Sequence, residues 1–140
     1  MRRLLTFFAC LVLAVPAFAE QVKRLGDLQV HYSVFNSSFL QPNVAQAVGV
    51  VRSKAQGVVN IVPLDASGKP ANATVAGSAK NLMGQTIPLT FKRVVEEGAV
   101  YNLAQFPIEG RETLTFSIQV QSGSEAPQSF DFMQEIFPDE

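Results

Sequence analysis

The chain has 140 residues, with 11 Lys and Arg against 12 Asp and Glu, one histidine, one cysteine and no tryptophan. A net charge of −1 provides no basic surface for the phosphates of a nucleic acid. A single cysteine forbids an intrachain disulfide, and one histidine beside it is too small a ligand set for an ordinary zinc centre.

The chain opens with Met1-Arg2-Arg3, continues with an apolar run from Leu4 to Val15, and closes this segment with Pro16 and Ala17-Phe18-Ala19. Charge, apolar core and small-residue site stand in the order of a secretory signal peptide. Crossing a bilayer as a helix takes about 20 residues, so the run is too short for a permanent anchor. Residues 1–19 are therefore expected to be removed between Ala19 and Glu20, sending residues 20–140 to the periplasm by the general secretory route as a single all-β domain. Cys10 leaves with the signal, and the remaining chain is mildly acidic, with 9 Lys and Arg against 12 Asp and Glu.

The first predicted strand alternates Leu28, Val30, Tyr32 and Val34 with Gln29, His31 and Ser33. Gln41 to Gly49 breaks that rhythm. Pro42 at its start, Gly49 at its end, and Val44, Ala47 and Val48 at helical spacing predict a short helix over 42–48. Its apolar side is expected to plug one end of the fold, packed by Phe39 and Leu40. Val58 to Leu64 is a nearly continuous apolar strand, Ala71 to Ala79 a strand of small residues, and Ile87, Leu89 and Phe91 mark the next. Ala99 to Phe106 is noisier. Leu114, Phe116, Ile118 and Val120 alternate with Thr, Ser and Gln in the clearest strand of all, and Phe130 with Phe132 marks the last.

Turn chemistry at Asp65–Pro70, Glu96–Gly98, Pro107–Gly110 and Ser122–Ser124 separates these runs. About seven short strands with one short helix predict an immunoglobulin-like β-sandwich, with a small barrel as the alternative. The sandwich lacks the Cys and Trp pins of antibody domains.

Catalytic signals are absent. His31 lies on the polar face of its strand, no G-x-S-x-G elbow exists, and no glycine-rich phosphate loop points to a nucleotide cofactor. No cofactor is expected. Glu96-Glu97 falls in a turn, where charge keeps the tip solvated. His31, Met83 and Met133 supply a soft ligand set for Cu(I), but no close Met/His motif joins them. Arg52-Ser53-Lys54, with Asn60 beyond, offers two cations for an anionic group or a partner's carboxylate. The same cations equally suit a solvated strand edge, where lysine discourages pairing.

His31-Tyr32, Phe35-Asn36, Phe39-Leu40, Val44-Ala45, Arg52-Ser53-Lys54, Asn60-Ile61-Val62, Gly77 with Asn81-Leu82, and Tyr101 occur in an order that resembles the domain of unknown function 4426 (DUF4426) family. These are small exported proteins of Gram-negative bacteria. The resemblance spans nearly all of the mature chain and implies a periplasmic address and a similar all-β fold. It implies no activity and no catalytic motif. Val48-Gly49-Val50 departs from the pattern, which has an aromatic before the glycine.

Arg52, Lys54, Asn60, Asn81 and Tyr101 are the candidate anion or partner contacts. The expected role is a non-catalytic periplasmic module that binds a protein or envelope component, or a second copy through a small-residue or edge strand. A small-ligand or copper carrier and an enzyme of unfamiliar design are the alternatives.

Overall fold

The computed structural model describes residues 21–138; the expected export signal and its cleavage point at Ala19–Glu20 lie outside them. Nine strands form: β1 (Gln21–Leu25), β2 (Leu28–Asn36), β3 (Gln56–Leu64), β4 (Ala73–Lys80), β5 (Thr86–Leu89), β6 (Lys92–Glu96), β7 (Ala99–Pro107), β8 (Glu112–Ser122) and β9 (Gln128–Ile136). They make two antiparallel sheets, a five-stranded one in the order β1-β2-β3-β7-β6 and a four-stranded one in the order β5-β4-β8-β9. The chain is an all-β sandwich.

Alternation in the sequence becomes the layer between the sheets. Val30, Val59, Ile61, Ala104 and Phe106 face inward from the five-stranded sheet, and Leu114, Phe116, Ile118, Val120 and Phe130 face them from the other. Phe116 stacks on Phe132 with ring centroids 5.0 Å apart and meets Phe106 edge-on at 5.5 Å. Tyr32 lies 4.4 Å from Phe132 and closes the aromatic layer near β9. Asn102 is the buried polar residue of this layer, and it donates to the Ile61 carbonyl across the β3–β7 pair at 3.1 Å.

Two strands join the seven read from the sequence, and both are edges. β1 and β6 carry Lys23-Arg24 and Lys92-Arg93, and four residues of each are exposed. With neither face fully covered, neither strand needs period-two alternation. The small-residue strand β4 is central, paired on one side with β5 and on the other with β8, so it has no open edge for a second copy.

The helix α1 (Pro42–Val48) forms where expected, with Pro42 in its first turn and Gly49 ending it in the left-handed conformation at φ 75°. Its position differs from the expected end plug. Ala45 and Val48 of α1, with Val50, pack on Val58, Phe35, Leu103 and Val94, which point outward from the five-stranded sheet. The helix therefore covers the part of that sheet's outer face that Val58, Phe35, Leu103 and Val94 form. Leu40 joins this second cluster, whereas Phe39 is 59% exposed and Val44 and Ala47 face solvent.

The β6–β7 connection is a two-residue hairpin in which Glu97 (φ 51°) and Gly98 (φ 82°) both take positive φ, as a type I′ turn requires. After β3, the Asp65 carboxylate accepts hydrogen bonds from the Ser67 hydroxyl (2.6 Å) and from the amides of Ser67 (2.9 Å) and Lys69 (3.0 Å). The Ser67 hydroxyl, then the backbone amides, hold this carboxyl below its ordinary value of 3.8. A depressed folded-state value makes the turn most secure above the ordinary aspartate range and loosens it as pH falls through the lowered value. Amide NMR from about pH 5 to about pH 2 is expected to show Ser67 and Lys69 shifting together below that range. Asp65→Asn should abolish that step, and an unchanged step in the variant would refute the assignment.

Candidate functional site

Arg52, Ser53 and Lys54 lie in the segment that carries the chain from α1 back to β3, and Ser53 is its fixed point. The Ser37 hydroxyl donates to the Ser53 carbonyl (3.0 Å) and accepts from the Ser53 amide (2.8 Å), while the Ser53 hydroxyl accepts from the Ala55 amide (3.1 Å). Ser37 is fully buried beneath this lock. The Arg52 guanidinium donates to the Ser38 carbonyl at 3.1 Å, so it clasps the same two segments together. Gln105 holds the segment on its other side, accepting from the Val51 amide and donating to the Val51 carbonyl. Lys54 is exposed at the turn into β3.

Asn60 sits four residues into β3, roughly 13 Å of extended strand from its start. Register places it beside Ser33 and Leu103 on the outer face of the five-stranded sheet, and Tyr101 follows on the same face of β7. The Asn60 Oδ1 is enclosed and has no hydrogen-bond partner. Asn81 directly follows β4 of the other sheet. Four of the five candidate contacts thus belong to the helix-covered side of the sandwich, spread along it, and the fifth belongs to the β4–β5 loop.

That loop, like the Asp65 turn, is closely organised by its own hydrogen bonds. The Asn81 Oδ1 accepts from the amides of Met83 (3.0 Å) and Gln85 (2.9 Å), and its Nδ2 donates to the Gln85 side chain (2.8 Å). The main chain adds bonds from the Asn81 amide to the Gln85 carbonyl and from the Gly84 amide to the Asn81 carbonyl. Asn81 is a staple for the loop rather than its contact surface. What the stapled loop presents is Leu82, 78% exposed, and Met83, 80% exposed. The sequence names Met83 only as a soft copper ligand and Leu82 only within the family pattern; the Asn81…Gly84 turn chemistry is the signal that the two are presented together.

His31 points outward from the five-stranded sheet beside Val22 and Val62. Met133 points outward from the four-stranded sheet beside Thr115, and Met83 is in the β4–β5 loop. Two sheets about 10 Å apart separate His31 from Met133, so the three soft ligands do not meet. Among the described residues, no group of three or more His, Cys, Asp or Glu is placed to share a metal. An open cleft of about 330 Å³ lies at the end of the sandwich away from the β4–β5 loop, lined by Asp27, Asp65, Glu125 and Gln128 among others. Asp65 is already engaged by its own turn there.

Fold and surface together define a two-sheet β-sandwich with a helical cover on one outer face and a rigid apolar loop at one end. The chain belongs to the DUF4426 family, a domain of unknown function, whose model matches residues 22–139. It is similar to the crystal structure of a DUF4426 family protein from Pseudomonas aeruginosa PAO1, with 68% identity, a TM-score of 0.81, and coverage of 86% of this chain and 97% of that one. The fold also matches FetP of uropathogenic Escherichia coli strain F11, recombinantly expressed in the periplasm, at 11% identity and a TM-score of 0.61, covering 87% of this chain and 96% of that one. A copper-bound E46Q variant of FetP matches at 12% identity and a TM-score of 0.62, covering 87% and 92%. Comparison with functionally curated proteins finds no match.

Proposed function

We propose that this protein is a non-catalytic interaction module of the periplasm that engages an envelope protein through the β4–β5 loop. The observation that carries this reading is the Asn81 staple beneath Leu82 and Met83. Two apolar side chains are held in water on a loop whose main chain is already fixed, so docking them costs little ordering entropy. Apolar side chains exposed in this way suit a partner's pocket better than they suit solvent. The signal-peptide pattern of residues 1–19 and the periplasmic expression of the FetP neighbour support the compartment.

Photocrosslinking from Gln85 in the exported protein is expected to give one dominant adduct. Leu82→Ser with Met83→Ser should remove it while leaving the thermal midpoint within about 2 °C, because both side chains are solvated. An unchanged adduct in the double variant would overturn the loop as the docking element.

Copper carriage is the second reading, favoured by the copper-bound FetP variant of the same fold. In this chain it would need ligands other than the separated His31, Met83 and Met133. A rise in thermal midpoint on Cu(I) titration, kept in His31→Ala, would support it; no rise would remove it.

A further inference from the structure

Each sheet has two outer strands whose far edge pairs with no strand among the described residues: β1 and β6 in one, β5 and β9 in the other. Three of the four are guarded. β1 has Lys23 at its centre, so two antiparallel copies in full overlap set lysine on lysine. β5 has four residues and includes Pro88, which has no N–H to offer. β9 is long, but β1 of the facing sheet comes close to part of it. β6 remains, with the sequence Lys92-Arg93-Val94-Val95-Glu96.

We propose that β6 is a self-association edge, pairing antiparallel with β6 of a second copy about a two-fold axis at Val94. The five-stranded sheets of the two molecules then become one continuous sheet. In this register Lys92 of each copy faces Glu96 of the other, Arg93 faces Val95, and Val94 faces its counterpart. Opposite charges meet at both ends of the pair. Centring the axis one residue earlier sets arginine on arginine, and one residue later exchanges both pairs for Arg93 opposite Glu97, a residue of the turn beyond the strand's end.

Main-chain geometry agrees with the same register. A two-residue hairpin makes its flanking residues, Glu96 and Ala99, a hydrogen-bonded pair. Alternation along the ladder then bonds Val94 to Tyr101 and Lys92 to Leu103, and turns the N–H and C=O groups of Arg93 and Val95 to the open side. Those are the residues that face each other across the two-fold axis. Val94, half-buried in the cluster under α1, meets its counterpart in a close non-bonded pair and extends that cluster across the axis. Val95, 66% exposed in one copy, loses part of that exposure.

Charges on an edge repel an unrelated strand, and here their order selects a second copy of this one. Five residues a side make a small interface, so association is weak and concentration-dependent. This edge lies on the other sheet from the β4–β5 loop, and the two surfaces stand or fall separately.

Sedimentation equilibrium over a wide concentration range tests the proposal. The wild-type exported protein is expected to dimerise, and Glu96→Lys and Lys92→Glu each to weaken self-association about tenfold. Mixing the two variants should restore it, because a cationic edge then faces an anionic one. Thermal melts check that each variant is folded. Should Lys92→Glu unfold, because Lys92 also packs on Gly49, the descending order wild type, Glu96→Gln, Glu96→Lys carries the same test. A monomer at every concentration, or a dimer indifferent to these substitutions, overturns the proposal.

Discussion

Phe116→Ala is expected to destabilise the sandwich by about 3–5 kcal/mol, the range for emptying a fully enclosed aromatic site. Phe116 is 0% exposed, stacked on Phe132 and met edge-on by Phe106 from the opposite sheet. Its ring is therefore where the two sheets touch. Neighbouring side chains are themselves pinned in strands, so the site cannot collapse to refill the space. A domain of this size has about 5–15 kcal/mol of total stability. No disulfide limits the unfolded chain here, because the only cysteine is Cys10. A large share of the margin is then at stake in one side chain. Urea unfolding of Phe116→Ala, with Met133→Ala as the control on the solvent face, measures it. Met133 is 64% exposed, and its loss should cost less than about 0.5 kcal/mol. A loss below about 1.5 kcal/mol for Phe116→Ala would mean that the sheets are held elsewhere.

The same burial explains which strands the sequence revealed. β8 alternates because one face is core and the other is water, and Leu114, Phe116, Ile118 and Val120 are each at most 1% exposed. β1 and β6 left no such trace, since an edge strand beyond the opposite sheet has little to bury on either face. The nearly continuous apolar run of β3 has a physical meaning of its own. A strand apolar on both faces is covered on both, and Val58 and Val59 are each 0% exposed. The cover over Val58 is α1. The helix was legible from Pro42 and Gly49, but its own apolar face does not say which surface it covers; the outward Val58, Leu103 and Phe35 do. β7 looked noisy for the same reason, with Leu103 turned outward under the cover and Asn102 turned inward to the Ile61 carbonyl.

The candidate contacts divide along similar lines. Arg52 and Asn81 stood out as polar residues, and the structure engages both in holding main chain, one across two segments and the other within a loop. The sequence does not mark Leu82 and Met83 as a contact pair, because an apolar pair between two strands reads alike whether it is buried or presented. Only the hydrogen bonds of Asn81 separate the two cases. Ser37 and Ser53 escaped for the opposite reason, being small polar residues whose pairing spans a helix.

Gly57→Ala is expected to cost about 1–3 kcal/mol, although the backbone at this position suits any residue. Gly57 is in β3 directly opposite Phe106 of β7, and its φ is not positive. The constraint is the neighbour: a Cβ there would run into the rim of the Phe106 ring, at Cζ and Cε2. That ring is 1% exposed and edge-on to Phe116, so it has no vacant direction in which to move. An aromatic laid over a glycine in the facing strand shields its main chain, and the sequence shows neither half of the pair until the register is known. Phe106→Leu withdraws the ring rim, so the double variant should cost less than the sum of the singles, with a coupling of about 0.5–3 kcal/mol in a double-mutant cycle. Gly110→Ala, where an added Cβ has nothing within 4 Å, serves as the neutral control. Strict additivity of Gly57→Ala and Phe106→Leu in urea unfolding would show that the glycine answers to something other than this ring.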